Sequence, residues 1–493
     1  MASRKDELNA YTFAKRRTVA AFLQPDPGGT EEGAPRPLRS VVPGMVVGAL
    51  VMVGFGAWGL FRPAVPEGWD EPGRNVIIGS DSTTRYVVLE TPGGGPQLHP
   101  VLNLSSARLL LGDPADVDIV SVDEAELDSG DIPRGPTLGI PYAPDRLPSA
   151  EDSAEAKRWA VCQQPGSGGE YQQATFVLAD RDAGRVDGRG RLTEGEVLYV
   201  QSTEDDAGYL VDGTGTKYLI DEADPGNRDV LLRLLTDGRP PQRVGREWLD
   251  TFADGSPIAF PELSAPVGSE AAVPGLRADA DQVGMVLTAP TGGGPQNYLV
   301  LPGEVVPVSE FTAHLMLNSP HTEPLGQRGT AFEVGAQDLE PAPPEAGIDH
   351  ELTWPESRIS QVNDPERATL CSVLRSVDPE DGSTEVTTWA GTAYPATIAS
   401  GASTAYVTPG SGLLYRQVQG EQAAAGGVFL VTDTGLRHAV QATATGAEEE
   451  EVQAQIKLGY GDVTPVPVPA HWSQFLPTGP RLDIDGARRP QGS

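Results

Sequence analysis

The chain has 493 residues, with 36 Lys and Arg against 69 Asp and Glu, which gives a net charge of −33. This length accommodates roughly two to four domains, and the 58 Gly and 45 Pro predict many turns and few long helices. The apolar fraction of 39% excludes a wholly disordered chain, and the acidic balance excludes nucleic acid as a partner for the bulk of the chain.

The first predicted element is an amphipathic helix from Asp6 to Phe22 with a basic face at Lys15, Arg16 and Arg17. Such a face can lie on anionic lipid headgroups or dock on a partner close to the membrane. The segment from Pro25 to Pro37 is rich in Pro and Gly and predicts a flexible linker.

A transmembrane helix is predicted next, because Val41 to Phe61 is an uncharged run of 21 residues bounded by Arg39 and Arg62. A helix of this length spans about 30 Å, the thickness of the hydrocarbon core of a bilayer. The alternative is a cleaved signal peptide, but such peptides start close to the N-terminus, and about forty residues precede this run. Seven Lys and Arg precede the run and three follow it up to Glu90, which predicts a cytoplasmic N-terminus and an extracytoplasmic remainder.

The chain has only two cysteines, Cys162 and Cys371. An even number in an oxidising compartment indicates a disulfide, which here would close a loop of about 210 residues. The alternative, a catalytic thiol, requires a nearby base that the sequence does not show.

Internal repeats organise the predicted exterior. The pentapeptide GGGPQ occurs at Gly93–Gln97 and at Gly292–Gln296, each time between apolar runs that predict strands. Leu210–Ile220 and Leu430–Val440 form a second pair, with Thr-Gly between alternating apolar runs. We therefore expect four related β-hairpins.

The segments that follow two of these hairpins also resemble each other. Arg243–Gly255 and Val468–Gly479 each carry a Val, a Trp and a Phe in the same order, with the tryptophans at Trp248 and Trp472. Units of this size cannot bury an apolar side alone and must lean on a neighbour. The segments around Cys162 and Cys371 are expected to be strands of one central sheet. The prediction is an α+β, β-rich fold, elongated and pseudo-symmetric.

Several sequence blocks resemble the EccB family, the single-pass membrane component of type VII (ESX) secretion systems, and they occur in the order found in that family. The similarity covers nearly the whole chain. It is carried by Arg85–Gly112, Gly139–Pro148, Trp159–Cys162, Leu370–Cys371, Tyr406–Tyr415, Phe429–Val440 and Leu458–Asp483. The chain departs from the family pattern in its GGGP turns and in the insertion from Leu325 to Asp364, so partner contacts made there are open.

The resemblance implies a cell-membrane protein with a cytoplasmic arm, one membrane helix, and four extracytoplasmic β/α repeats around a disulfide-linked β core. It also implies self-association and assembly with an FtsK/SpoIIIE-like ATPase and further membrane subunits. The expected division is an arm and linker at 1–38, a transmembrane helix at 39–62, a first repeat at 63–148, a first core segment at 149–202, a second repeat at 203–265, a third repeat at 266–330, a second core segment at 331–418, a fourth repeat at 419–485 and a tail at 486–493.

Catalytic motifs are missing from the sequence. A P-loop needs Gly-Lys-Ser/Thr after a glycine-rich turn, and none of the five lysines follows a Gly. The nearest segment, Gly213–Tyr218, predicts a hairpin turn. The six histidines form no zinc pattern, and no GxSxG is present. We therefore predict no catalytic residue, cofactor or metal, although some members of the family are described as ATPases.

Two further segments are predicted to be structural. Asn103 or Ser105 can cap a short helix that Gly112 ends, with Leu109 and Leu110 facing inward. His99 is expected to end a strand and hold a turn. Four consecutive glutamates in Gly446–Gln453 predict the start of a solvated helix, and a cation site is the alternative.

Three hypotheses follow for the function. The first is a structural and interaction subunit of the secretion complex. The second is an extracytoplasmic ATPase or hydrolase of the same system. The third is a peptidoglycan-binding module that uses exposed aromatic residues such as Trp248 and Trp472, for which the alternative is that both belong to the core.

Overall fold

The structure is a computed structural model of the full chain. It describes residues 4–23, 38–60, 66–91, 93–112, 117–221, 225–398, 404–419, 426–441 and 448–491. The predicted linker at Pro25–Pro37 lies outside these residues.

Two helices, α1 (Arg4–Leu23) and α2 (Leu38–Leu60), precede the sheets. The side chains of Lys15, Arg16 and Arg17 in α1 are exposed. Successive residues of a helix are about 100° apart, so these three consecutive residues point in different directions around the helix. The predicted helix is confirmed as α1, but polar and apolar side chains are mixed around it, so the predicted amphipathic character with one basic face is wrong.

In α2 the side chains are described from Val41 to Gly56. Of Arg39 only the backbone is described, within α2, and Arg62 lies outside the described residues. Measured over the residues whose positions the structure describes, none of the helices has the length and apolarity that crossing a membrane requires.

The first sheet, sheet 1, follows directly. The side chain of Asn103 accepts a hydrogen bond from the backbone N–H of Ser106 and caps the helix that begins at Leu104, as predicted. The helix ends at Leu110 with an extended Leu111, so Gly112 does not cap it. Sheet 1 and its helices comprise β1 (Asn75–Gly79), β2 (Arg85–Thr91), β3 (Gly95–Val101), α3 (Leu104–Leu110), β4 (Asp118–Val122) and α4 (Glu124–Leu127).

The central sheet begins next and is completed late in the chain. Its strand order is β18-β17-β5-β6-β19, so both cysteine segments lie side by side in it, as predicted. Its elements up to residue 187 are α5 (Ala150–Ala154), β5 (Arg158–Pro165), β6 (Tyr171–Leu178) and α6 (Asp180–Asp187). The later strands are β17 (Thr369–Val377), β18 (Thr384–Gly391) and β19 (Ala405–Val407).

Sheets 2 and 3 lie between the two halves of the central sheet in the chain. Sheet 2 comprises β7 (Glu196–Ser202), β8 (Gly208–Asp212), β9 (Thr216–Leu219), α7 (Pro225–Thr236), β10 (Gln242–Val244), α8 (Arg246–Leu249) and β11 (Ala253–Asp254). Sheet 3 comprises β12 (Val286–Thr291), β13 (Gly294–Leu301), β14 (Glu304–Val308), α9 (Glu310–Asn318) and β15 (Phe332–Glu333).

The chain then returns to the central sheet and ends in sheet 4. Before that return, strand β16 (Ser360–Gln361) pairs with β7 of sheet 2. Sheet 4 comprises β20 (Leu413–Val418), β21 (Val428–Val431), β22 (Arg437–Val440), α10 (Glu448–Lys457), β23 (Val466–Pro469), α11 (Ala470–Ser473) and α12 (Ile484–Ala487).

Sheets 1 to 4 share one strand order. In each, three strands form an antiparallel meander, and a fourth strand pairs in parallel with the first. A helix lies between the third and fourth strands in every case. Successive apolar residues of these strands point to opposite faces, so both faces of each sheet lie against a hydrophobic core.

The two GGGPQ segments both form hairpins, but at different positions in this order. In sheet 1 the turn joins the second and third strands, where Thr91 pairs with Gly95. In sheet 3 it joins the first and second strands, where Thr291 pairs with Gly294. The two pentapeptides are therefore not equivalent, and the predicted relation between these hairpins is wrong. Glycine-rich turns suit either place because Gly adopts positive φ freely.

The sheets also shift the domain boundaries that the sequence predicts. Those boundaries place β7, β20 and β15 in the core, yet β7 and β20 are the first strands of sheets 2 and 4, and β15 belongs to sheet 3. The recognisable hairpin in sheets 2 and 4 is formed by the second and third strands, so sequence comparison of hairpins leaves each first strand out.

Shared hydrophobic cores define how the sheets contact one another. The central sheet, sheet 2 and sheet 4 share one core around Trp159, Trp248 and Trp472. Sheets 1 and 4 share a second core. Sheet 2 shares a third with α9 of sheet 3, through Phe311 and Leu315. Sheets 1, 4, 2 and 3 therefore follow one another in space, and the central sheet packs against both sheet 4 and sheet 2.

Candidate functional site

A disulfide links the two halves of the central sheet. Cys162 of β5 and Cys371 of β17 are directly opposite each other in antiparallel register and are bonded. Both are fully buried. The bond joins residues 209 apart in sequence, and the chain-entropy model assigns a loop of this length about 5 kcal/mol of stabilisation. The predicted pairing is present, and neither cysteine is a free thiol.

Trp248 and Trp472 occupy matching places in the core that the central sheet, sheet 2 and sheet 4 share. Each lies in the short helix after a fourth strand, α8 or α11, and each is fully buried. Trp248 donates a hydrogen bond from Nε1 to the carbonyl of Val161 at 2.9 Å. Because neither ring reaches solvent, the hypothesis that these two residues bind glycans is wrong.

Gly213–Tyr218 is the turn most similar in sequence to a P-loop, and its groups that could bind a phosphate are already bonded to other residues of the protein. The carboxylate of Asp212 accepts hydrogen bonds from the backbone N–H groups of Thr214 and Thr216, both at 2.9 Å. Lys217 is buried and donates to the carbonyl of Phe252, and it pairs with Asp254. A phosphate would therefore find its amide donors and its lysine already engaged.

The histidines do not converge on one site. His314 lies in α9 of sheet 3, and His471 lies in α11 at the boundary of sheets 4 and 2, where Asp250 and Lys217 act on it. Burial lowers the pKa of both histidines. In the described regions of the chain, no three His, Cys, Asp or Glu residues form a group that could hold a metal ion. The glutamates of Gly446–Gln453 begin α10 at Glu448.

Two histidines, His99 and His438, make the same contact in sheets 1 and 4. Nδ1 of His99 lies 3.0 Å from the carbonyl oxygen of Pro136, and Nδ1 of His438 lies 2.9 Å from that of Pro480. Both are buried in third strands, β3 and β22. His99 thus holds a neighbouring segment, as predicted, but from within a strand and not from its end.

Polar contacts reinforce the core between sheets 1 and 4. Arg108 of α3 donates to the carbonyl of Leu458 at 2.9 Å, and Lys457 of α10 donates to the carbonyl of Leu111. The hydroxyl of Tyr460 donates to the carbonyl of Pro148 at 2.8 Å. Burial and the charge of Arg488 lower the pKa of Lys457. A cleft of about 810 Å³ opens beside these groups, with Ile119 and Ile456 on its walls.

A buried ion pair anchors the segment that leaves sheet 1. The side chain of Lys157 is 1% exposed and lies 3.1 Å from the carboxylate of Asp152. The same carboxylate accepts hydrogen bonds from Ser411 and from the N–H of Gly412. Burial raises the pKa of Asp152, but the hydrogen bonds and Lys157 outweigh it, so the pKa lies below its usual value.

The end of the chain lies against sheet 1. Pro490 forms an antiparallel bridge with Leu138, and Gln491 donates from its backbone to Thr137 and from its side chain to Gly139. The sequence predicts only a tail for these residues, and their residue types give no signal of the contact. The equivalence of His99 and His438, by contrast, could have been found from the matching segments GPTLGI and GPRLDI.

These features define a class of protein: a β-rich structural protein whose buried ionisable and aromatic side chains form contacts between its sheets. The chain belongs to the family described as "Type VII secretion system ESX-1, transport TM domain B", whose model matches residues 1–492. This agrees with the resemblance found in the sequence.

Two curated relatives illustrate the range of similarity. The "ESX-3 secretion system ATPase EccB3" of Mycolicibacterium smegmatis is 26% identical over 507 residues, which cover 97% of this chain and 89% of that protein. The "ESX-2 secretion system ATPase EccB2" of Mycobacterium tuberculosis is 35% identical over 253 residues, which cover 50% of this chain and 46% of that protein.

Solved structures share the fold. The chain from "Structure of an intact ESX-5 inner membrane complex" matches with a TM-score of 0.60 at 22% identity, covering 100% of this chain and 96% of that one. The chain from "Structure of EccB3 dimer from the ESX-3 core complex" matches with a TM-score of 0.58 at 23% identity, covering 84% and 99%.

Proposed function

We propose that this chain is a structural subunit of a type VII secretion membrane complex and supports protein export without catalysing a reaction. The observation that supports the proposal is that the side chains capable of catalysis or ligand binding form contacts within the protein. The cysteines, Lys217 and both central tryptophans are buried and engaged in internal contacts. What the chain offers to partners is therefore its surface, and its self-association and contacts with other membrane subunits follow from that role.

We further propose that α2 is the single membrane anchor. The sequence from Val41 to Phe61 carries no charge, and a helix of 23 residues is about 35 Å long. Its described apolar side chains, such as Met45 and Phe55, are exposed. A helix that is apolar all round requires a lipid or protein environment.

The topology that fits these features has α1 in the cytoplasm and all five sheets outside the membrane. Basic residues are concentrated before α2, and basic segments stay on the cytoplasmic side. A disulfide between buried strands is expected in an oxidising compartment. The four sheets of common strand order are then the four repeats of the family, arranged around the central sheet.

Purification of the tagged full chain from mild detergent tests the structural role. We expect it to retain other membrane subunits of the secretion system and further copies of itself, measured by native mass spectrometry. The matched control is Trp472→Ala, which removes a fully buried side chain of the core and should reduce the recovered complex together with the folded chain. Recovery of the wild-type chain as a folded monomer without partners would contradict the proposal.

A second candidate function, ATP hydrolysis, is favoured by the names of the curated relatives, which include the word ATPase. Lys217 is the side chain to test, because it lies in the turn most similar to a P-loop. If hydrolysis by the purified full chain were intrinsic to this turn, Lys217→Met would abolish it while leaving the chain folded. We expect no activity that depends on Lys217, since its ammonium group is bonded to Asp254 and Phe252.

A further inference from the structure

His438 is a buried imidazole with one satisfied nitrogen. Nδ1 faces the carbonyl oxygen of Pro480 at 2.9 Å, and since a carbonyl only accepts, Nδ1 carries the proton. The other nitrogen, Nε2, is buried and has no hydrogen-bond partner among the described residues. The native state therefore contains the neutral ring, and a second proton would place a charge where nothing accepts its hydrogen bond.

The ring is held in a tight slot. A Cβ atom at Gly479 would lie 2.3 Å from the ring of His438, and one at Gly135 would lie 2.2 Å from the ring of His99. Both glycines precede the proline whose carbonyl contacts the histidine. The two sites are therefore built alike, but Nε2 of His99 is not among the buried groups that lack a partner.

Both histidines face the core that sheets 1 and 4 share. His438 pairs across the strands with Leu430, and His99 pairs with Val87. Directly paired residues point to the same face of a sheet, and both Leu430 and Val87 belong to the shared core. A change in either ring is thus transmitted to the contact between the two sheets.

Within the described structure, no charged side chain offsets a proton on His438. Burial lowers its pKa, and the bond to Pro480 is the one contact that opposes this effect. Arg437, its neighbour in β22, points to the opposite face, where its guanidinium lies over Phe429 and donates to Ser473. Strand β21, the segment 478–482 and helix α10 pack against β22. None of their described carboxylates acts on the ring, and Lys457 of α10 donates to the carbonyl of Leu111.

We propose that His438 makes the junction between sheets 1 and 4 acid-labile, so that protonation of its ring drives the ring out of its slot and loosens sheet 1 from sheet 4. The native state needs the neutral ring, so stability is complete above the unfolded pKa of about 6.5 and declines as the pH falls below it. If α2 is the anchor, as proposed above, loosening lets the remaining sheets move relative to the anchored end.

Thermal unfolding of the full chain in detergent at about pH 7.5 and about pH 5.5 tests this inference. We compare the wild type with His438→Gln, a neutral hydrogen-bond donor that does not titrate, and with the matched control His99→Gln. His314 and His471 are present in all three proteins, so their titration cancels. We expect the acid-induced loss of Tm to be roughly 1 °C smaller in His438→Gln than in the other two proteins. Equal losses in all three, or a loss reduced only in His99→Gln, would overturn the proposal.

A second measurement needs no variant and decides the matter if His438→Gln fails to fold. Amide hydrogen exchange of the wild type is measured at both pH values and corrected for the intrinsic rates. The proposal expects faster exchange at low pH in β3, β22 and the segments 134–140 and 478–484, with β5 and β17 unchanged. Exchange that increases equally in β5 and β17, or nowhere, would overturn it. Neither experiment depends on secretion or on partners, so its failure is distinct from failure of the proposed function.

Discussion

The two outer junctions of the molecule are built differently. Sheets 2 and 3 follow each other in the chain and meet through α9, whose Phe311 packs against Trp354 with ring centroids 5.9 Å apart. Sheets 1 and 4 stand at opposite ends of the chain. They share a full core, and they are also tied by Arg108, Lys457 and Gln491, each bonded to a residue about 350 positions away.

The difference shows that chain connectivity helps to hold one junction together, whereas the other depends on side-chain contacts. A junction between neighbours in sequence is kept close by the short chain between them, because loop-closure entropy grows with loop length. A junction between the two ends has no such help except through the central disulfide. Its extra polar contacts, and the return of the last residues onto sheet 1, supply what connectivity does not.

The largest expected effect comes from removing the disulfide with Cys162→Ala and Cys371→Ala together. The free energy of unfolding should fall by up to about 5 kcal/mol, measured by chemical denaturation under non-reducing conditions. Because the bond joins the two halves of the central sheet, against which sheets 2 and 4 both pack, both junctions should weaken, and the end-to-end junction should weaken more. Each single variant serves as a control and should match the double variant. An unchanged unfolding midpoint would contradict the role assigned to the bond.

The second largest effect is expected from substitution of Trp248 or Trp472. Trp248→Ala and Trp472→Ala should each cost about 3–5 kcal/mol, because each removes a fully buried indole. Trp248 also donates to Val161, whereas Nε1 of Trp472 has no partner among the described residues. Trp248→Ala should therefore be the more damaging by about 1 kcal/mol.

Equal retention of both variants and of the wild type on peptidoglycan is also expected. Selective loss of binding by either folded variant would contradict the placement of these tryptophans in the core.

Asp152→Asn should destabilise by about 2–3 kcal/mol, since it removes the nearer carboxylate of the buried ammonium of Lys157 and leaves only Glu155, at 3.4 Å. The pKa of Asp152 is below its usual value in the folded state, so its contribution is present above a pH of about 4 and is lost as the pH falls further. The stability of the variant should depend less on pH in that range. The control is Asp145→Asn, whose half-exposed carboxylate pairs with Arg85. The amide oxygen of Asn can still accept the hydrogen bond from the N–H of Leu104, so this variant should cost less than about 1 kcal/mol. Identical losses in both would refute the distinction.

A smaller effect is expected from Arg108→Met, which deletes the hydrogen bond to Leu458 while keeping most of the side-chain volume. We expect a loss of about 1–2 kcal/mol and faster amide exchange in α3 and α10. The comparison variant at the other junction is Asn227→Ala, which removes an exposed contact with His321 and should change stability by less than about 0.5 kcal/mol. A greater loss from Asn227→Ala would reverse our ranking of the two junctions.

Much of the fold could be predicted from local patterns in the sequence. The hairpins, the two cysteine strands in one sheet and the cap at Asn103 follow from turn residues, alternation and side-chain chemistry. The identical GGGPQ segments misled the alignment of the units, because a turn sequence reports a hairpin and not the place of that hairpin in a sheet.

What could not be predicted depends on contacts between residues far apart in the chain. No periodicity places Gln491 on Gly139, or Asp152 on Gly412. The predicted basic face of α1 fails for a local reason, since its three basic residues are consecutive and therefore spread around the helix. The matching GPTLGI and GPRLDI segments indicate from the sequence that His99 and His438 are equivalent, but the contact of each segment with its histidine is a tertiary contact that no local pattern predicts.

Topology is the feature on which the proposed function depends most. The native cysteines are buried and bonded to each other, so a membrane-impermeant maleimide should report only on an introduced cysteine. Asn9→Cys in α1 and Glu345→Cys between sheet 3 and β16 replace exposed residues on opposite sides of α2. In intact cells without their outer envelope layers, we predict labelling of Glu345→Cys alone, with Asn9→Cys labelled only after permeabilisation. Labelling of Asn9→Cys and protection of Glu345→Cys would contradict the account.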